Sequence, residues 1–241
     1  KIFGWKRKLR RFDRLYRLPT VKIAISPHLV EGVEKRYGVA CSLLPNGIDR
    51  NVFFPKPGEL DYSGTLKILS VGNFTLEYKA IPDILNAIKI LKDQGESVYL
   101  TRVSPTDIPE AERRHGEVDR FLVKVSEKEM ADLYRESHIL ISASTEIEGF
   151  GLPPVEAMST GTPVILTKIS PFLAFDETHD YAYFVNVHRP EKIAEGILEI
   201  AGNKALRSSL IKRGFDVSNK YSIENIAKML EGTLQRHIEK R

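Results

Sequence analysis

Hydrophobic positions recur along this chain in two alternating rhythms. The run Leu66 to Val71, LKILSV, is short and nearly all apolar, as expected of a strand buried on both faces. The next segment, AIPDILNAIKILKDQG, puts Ile81, Ile84, Leu85, Ile88 and Leu91 at helical spacing and stops at Gly95. The pair of patterns then repeats. SVYLTRV (residues 97–103) and, after a polar stretch from Ser104 to Asp119, RFLVKV read as strands. Ser126 and Glu129 form a capping box that opens the helix SEKEMADLYRES. HILISA is a strand, residues from about Leu152 to Ser159 a helix, and TPVILT and YAYFVNV two further strands. Three helical segments follow: RPEKIAEGILEIAG, KALRSSLIKRGFDVSNK and SIENIAKMLEGTLQRHIEK. Strands joined by helix-length amphipathic segments need right-handed crossovers, so the expected fold is α/β, a Rossmann-like doubly wound parallel sheet spanning residues 46–220.

Residues 1–45 do not fit that alternation and read as the remnant of a preceding unit. VKIAIS is a short strand ended by Pro27, and HLVEGVEKRYG a short helix. Between Cys41 and Glu59, Pro45, Asn46-Gly47, Pro55, Pro57 and Gly58 crowd too closely for a regular element, as in a connector. Residues 221–241 form a last helix with Ile223, Ile226, Leu230 and Leu234 on one face.

At 241 residues and 42% hydrophobic content the chain can bury one large core. No apolar run approaches the ~18 residues that span a bilayer, and the opening KIFGWKRKLRRF lacks the apolar segment of a signal peptide, so a soluble, cytoplasmic protein is expected. Cys41, the single cysteine, excludes an internal disulfide and a multi-cysteine metal site. Charge is unevenly spread. Residues 1–20 hold eight Lys or Arg against Asp13, a balance of +7 in a chain whose net charge is +4, so the remainder is acidic by three. A basic body that would bind nucleic acid is therefore not indicated. Trp5, Leu9, Phe12 and Tyr16 share one face of this basic segment, which fits either a helix packed on protein or one lying on an anionic membrane surface.

The chemistry concentrates between Ala143 and Leu166, ASTEIEGFGLPPVEAMSTGTPVIL. Open parallel sheets bind ligands at the carboxyl ends of their strands, and the EGFGLP loop follows the strand HILISA. Gly149 and Gly151 allow close approach of backbone to ligand, and Pro153 suits the start of a helix whose free amides and dipole favour phosphate. Carboxylates should repel a phosphate. Glu156, one turn into the helix, can instead accept hydrogen bonds from vicinal hydroxyls such as those of a ribose, with Glu148 meeting hydroxyls on the other side of a diphosphate. Hydroxyl, diphosphate, hydroxyl is the order of groups in a nucleotide sugar.

EGFGLPPVEAMSTGTPVI closely resembles the Glu-x7-Glu signature of retaining glycosyltransferases of the GT-B fold, family 4. LLPNGIDRNVFFP, ILSVGNF followed by Tyr78-Lys79, and VSEKEMADLYRESHILISAS resemble, in the same order, the family's connector, its first strand with its phosphate loop, and its nucleotide-loop helix with its fourth strand. The similarity covers about residues 21–203. It implies the C-terminal, donor-binding half of such an enzyme, with the final helix packing back toward the N-terminal domain. It also implies transfer of a sugar from a nucleotide-diphosphate donor to a glycan or lipid-linked acceptor, without metal or other cofactor.

Carried over by position, Glu148 contacts donor-sugar hydroxyls, and the amides of Gly149, Phe150, Gly151 and Leu152 meet sugar or diphosphate. Glu156 holds the ribose. Lys79 binds the diphosphate and neutralises charge on it as it leaves. Gly72 and Asn73 belong to the phosphate loop, and the backbone of Lys124 and Val125 lies where the base is held. The chain departs from the family at Asn73, where an arginine usually stands, and at Ala80, usually glycine. Arg102 at the end of the second strand is a candidate substitute cation or simply a solvated side chain. None of the six histidines occupies the family's histidine motif, and no Asp-x-Asp metal motif occurs. Asp176, Glu177 and Asp180 read as a solvated loop. Most of the acceptor half is absent, so binding without turnover is expected. A catalytically inactive nucleotide-sugar-binding or scaffolding module and, more remotely, a sugar-nucleotide epimerase are the alternatives.

Overall fold

The computed structural model describes residues 12–56, 58 and 60–239. Its centre is a six-stranded, wholly parallel sheet made of β3 (Leu66–Val71), β4 (Val98–Ser104), β5 (Arg120–Val123), β6 (Ile139–Ser142), β7 (Val164–Thr167) and β8 (Tyr183–Val185). The spatial order is β5-β4-β3-β6-β7-β8. The chain runs outward from β3 to β5, then returns to β6 on the other side of β3 and runs outward again. The direction reverses between β3 and β6, and a crevice opens outside the carboxyl ends of strands at such a switch point.

Neighbouring strand residues feed opposite cores, which is why the strands are apolar throughout. Leu69 faces a core formed with Ala131, Tyr134, Val155 and Met158, whereas Ile68 faces one formed with Ile84, Leu85, Ile88, Ile193 and Ile197. The first core lies under α4 (Glu127–Glu136) and α5 (Leu152–Ser159); the second lies under α2 (Ile81–Asp93) and α7 (Pro190–Gly202). An aromatic cluster of Phe150, Phe175, Tyr181 and Tyr221 extends the first core, its rings meeting mainly edge to face. α8 (Lys204–Asn219) packs on α5 through Gly214, where an added Cβ would come within 3.0 Å of Met158 Cγ.

Two short helices lie where no element was expected: α3 (Glu110–His115) in the polar stretch between β4 and β5, and α6 (Ser170–Leu173) after β7. Each is too short to show a helical period in the sequence. The strand expected over residues 21–26 contracts to β1 (Ile23–Ala24), paired in parallel with β2 (Ser42–Leu43) beside α1 (Pro27–Tyr37). Ile23 and Leu43 remain 42% and 37% exposed, and α1 buries none of its side chains. The connector is fastened at Ile48, whose N–H donates to Tyr221 O and whose carbonyl accepts from Ile223 N–H at the start of α9 (Ile223–Ile238). Ile223, Met229, Leu234 and Ile238 on α9 are exposed. Of the basic N-terminal segment, Trp5 and Leu9 lie outside the described residues. Residues 12–16 are helical, Phe12 and Leu15 are exposed, and Tyr16 stacks on Tyr37 with ring centroids 4.1 Å apart. Among the described residues no helix is long and apolar enough to cross a membrane.

The seating of α7 on the sheet depends on Gly196, where a Cβ would meet Tyr183 Cδ1 at 2.7 Å and Ile165 Cδ1 at 3.3 Å. Gly196→Ala is expected to lower the unfolding free energy by about 1–3 kcal/mol through overpacking, despite alanine's better helix propensity. Urea denaturation followed by circular dichroism measures it; an unchanged midpoint contradicts the close approach.

Candidate ligand-binding site at the carboxyl ends of the strands

The loops after β3 and β6 meet at the switch point, and an ion pair joins them. Lys79 Nζ lies 2.6 Å from Glu148 Oε2, with side chains 17% and 10% exposed. Lys79 ends a 3-10 turn, Glu77–Lys79, and Ala80 then takes a left-handed conformation, φ +45°, to enter α2. The lysine stem lies over Gly72, where a Cβ would sit 3.4 Å from Lys79 Cδ. Gly72 itself has φ +150°, a conformation costly for other residues. Glu148 Oε2 also accepts from Ser144 Oγ at 2.8 Å. Around it, Thr145 N–H donates to Tyr78 O at 2.8 Å, and Glu146 accepts from Ser170 N–H at 3.1 Å, leaving Ile147 exposed at the loop tip.

Beyond Glu148 the backbone N–H groups of Gly149, Phe150, Gly151 and Leu152 donate to nothing among the described residues. The first amides of a helix have no partner within it, so these four consecutive N–H groups are available to an anion. Phe150 is buried against Phe175 and Tyr221, at centroid distances of 5.3 and 5.4 Å, which anchors the loop from beneath; only its backbone is turned to other use. Gly151 has φ +95°, and a Cβ there would come within 2.5 Å of Phe172 Cε1, so this turn requires glycine. Pro153 and Pro154 in the first turn of α5 have no N–H to offer, so the donors come from the turn and from Leu152, the first residue of the helix.

Glu156, in the second turn of α5, leans toward α4, where the Tyr134 hydroxyl donates to its Oε2 at 2.7 Å. Burial raises the Glu156 carboxyl above its ordinary value, opposed by the Tyr134 hydrogen bond and reinforced by the charge of Glu127. Burial likewise holds the Tyr134 phenol well above its usual range. At the N-terminus of α4, Ser126 and Glu129 form the expected capping box. Immediately before it stands Lys124, with φ +52° and its N–H donating to Ser104 O, followed by half-buried Val125. Gly72, Lys79 and Glu148 thus lie together, the unpaired amides follow on the segment that joins the two glutamates, and Lys124 and Val125 precede the helix whose Tyr134 holds Glu156.

Asn73 supplies no cation, and its Oδ1 is occupied by Thr75 N–H and Oγ1, each at 2.9 Å. Arg102 does not replace the missing charge at the surface. It is neither solvated nor open to the cleft: fully buried, its Nε donates to Glu112 Oε1 at 2.8 Å, Nη1 to Ser70 O at 2.9 Å and Nη2 to Gly72 O at 2.7 Å. Sequence reasoning passed over Glu112, since a carboxylate inside a polar stretch gives no sign of burial. The acidic cluster is also not simply solvated. Arg213 pairs with Asp176 and Asp180, and Lys220 with Asp176, which holds the Asp176 carboxyl far below the usual range; this network ties the 176–180 loop to α8. Among the described residues no group of three or more His, Cys, Asp or Glu gathers as metal ligands would.

A cavity of about 570 Å³ lies at the opposite, amino-terminal ends of β3, β6 and β7, lined by Tyr62, Lys67, Arg135 and Arg207 among others. Its arginines are engaged within the fold, Arg135 with Asp132 and the Val52 and Phe54 carbonyls, Arg207 with the Ile200 and Ala201 carbonyls. None of the donor-site residues singled out by sequence lies there.

Residues 56–217 match the family described as glycosyl transferases group 1. A protein named probable sucrose-phosphate synthase from Thermosipho melanesiensis is 29% identical over 196 residues, 77% of this chain and 45% of that protein. Among solved structures, a sucrose-phosphate synthase from Thermosynechococcus elongatus superposes with a TM-score of 0.79 at 21% identity, over 98% of this chain and 63% of the other. Anabaena Alr3699/HepE in complex with UDP-glucose gives 0.76 at 17% identity, over 92% and 65%. The six-stranded parallel sheet matches the Rossmann-like halves of these GT-B structures, and the chain spans about half the length of the curated relatives it matches.

A carboxyl whose folded-state pKa is raised favours folding most below its unfolded value, 4.5, and that contribution is lost as pH rises through the raised value. Glu156→Gln keeps an oxygen for Tyr134 and cannot ionise. Its unfolding free energy is expected to match the parent's near about pH 4 and to exceed it by about 1 kcal/mol at about pH 7.5. Thermal denaturation at the two pH values checks this; a variant less stable than the parent at the higher pH contradicts it.

Proposed function

The chain belongs to the glycosyl transferases group 1 family, and we propose that it is the donor-binding half of a retaining family 4 glycosyltransferase, taking a nucleotide-diphosphate sugar. One arrangement carries this reading: four unpaired amides on the turn between two glutamates, one of them held by a lysine from the neighbouring loop. Cradle and cation suit a diphosphate, and the carboxylates suit the hydroxyls on either side of it.

In the unliganded site Lys79 and Glu148 neutralise each other. A diphosphate drawn onto the Gly149 to Leu152 amides competes for Lys79. Glu148, still held by Ser144 Oγ, then turns its carboxylate to the sugar hydroxyls. As the glycosidic bond to phosphate breaks, negative charge grows on the leaving diphosphate, where Lys79 and the amides stabilise it without a metal ion. Glu156 accepts from the ribose with the oxygen that Tyr134 leaves open, beside the base held along Lys124 and Val125.

The acceptor, a glycan or a lipid-linked sugar, enters from a second domain that relatives of about twice this length have room for. Ile25 approaches Gly149, its Cδ1 being 3.5 Å from where a Cβ would stand, so the β1 to α1 segment reaches the edge of the donor loop. A module that binds nucleotide sugar without transferring it is the second reading, favoured by Asn73 and by the burial of Arg102, which leave Lys79 as the cation facing the loop. Transfer of labelled sugar by a chain that carries the second domain separates the two.

Calorimetry begins with UDP-glucose and extends to GDP-, ADP- and dTDP-sugars. Lys79→Ala is expected to weaken nucleoside-diphosphate binding by roughly tenfold or more and nucleoside binding little. Equal losses for both ligands rule out the phosphate role. Failure of the parent to bind any member of the panel rules out the donor site.

A further inference from the structure

Arg102 is a large, fully buried cation that the proposed chemistry does not use. Ser70 and Arg102 are register partners on β3 and β4, so the arginine side chain runs beside β3 toward its carboxyl end. There it donates to Ser70 O and, at 2.7 Å, to Gly72 O, the last carbonyl before the loop that carries Asn73 and leads to Lys79. The trans peptide directs the Asn73 N–H opposite to the Gly72 carbonyl. With that carbonyl pinned inward by a guanidinium, the Asn73 N–H is turned away from the sheet. Like the N–H of Phe74, it donates to nothing among the described residues. The other oxygen of Glu112, Oε2, is buried with no hydrogen bond. A carboxylate that only completed the packing would be costly in that state; one that holds a guanidinium at a fixed angle through Nε serves it with a single oxygen.

Resting on the donor-site reading, we infer that Arg102, held by Glu112, is a positioning residue for the diphosphate. It acts from behind the phosphate loop by fixing and polarising the Gly72–Asn73 peptide, so that the Asn73 N–H serves as a phosphate donor beside Lys79. A hydrogen bond from a cation to the carbonyl strengthens the N–H of the same peptide as a donor. The chain thereby obtains from a buried arginine and a backbone dipole part of what an arginine side chain at position 73 would supply directly.

The test uses the whole chain, UDP, GDP and ADP, and the corresponding nucleosides followed by ligand-observed NMR. Arg102→Met is expected to weaken the best-bound diphosphate about tenfold with nucleoside affinity unchanged, and Arg102→Lys, whose ammonium can still reach the Gly72 carbonyl, to restore part of the loss. Should Arg102→Met not fold, the parent decides alone: the Asn73 amide resonance shifts on adding inorganic pyrophosphate. Folded Arg102 variants with the parent's full preference, or an Asn73 resonance unmoved at saturating pyrophosphate, overturn the inference and leave the donor site standing. A parent that binds no diphosphate overturns both.

Discussion

A carboxylate held almost out of water needs a cation within hydrogen-bond reach, and in this chain one such pair organises the cleft. Glu148 binds Lys79 from the loop after β3 and Ser144 from the end of its own strand, so the loops of two adjacent strands are drawn together where the sheet reverses direction. The neighbouring contacts repeat that stitch: Thr145 to Tyr78 on one side, Glu146 to Ser170 on the other. Removing one partner of a buried pair commonly costs about 3–5 kcal/mol, because it leaves the other charge uncompensated. The pair therefore fixes how the two loops meet at the switch point.

Around that stitch the fold tolerates several local costs. Glu156 is kept where burial resists its ionisation, Ala80 and Lys124 adopt left-handed backbone that favours glycine, and Gly149 to Leu152 leave amides unpaired. All of them lie at the carboxyl ends of the strands. At the opposite ends arginines cap carbonyls, although Arg135 Nε is buried without a partner.

The α/β alternation was legible because amphipathic helices and doubly buried strands have different periods, and α5 and the capping box of α4 fell where the residues put them. The glycines at 149 and 151 and the two glutamates also advertised the site, since few structural needs join those residue types on one turn. What stayed hidden involves pairs distant in sequence. Arg102 reads as a strand-end cation until Glu112 is brought over it by a helix of six residues, and Asp176 reads as solvated until Arg213 and Lys220 return from α8. A long-range ion pair leaves no period in the sequence, and so no pattern announces it.

The two-stranded sheet β1–β2 has a consequence for handling the protein. Parallel strands are normally covered on both faces, and two strands alone are marginal in water. Here Ile23 and Leu43 stand exposed, next to a helix with no fully buried side chain. The open edge is a template to which another extended chain can add by backbone hydrogen bonding, whatever its side chains. In a preparation of these residues alone, this edge offers a route to self-association that the well-packed six-stranded core does not.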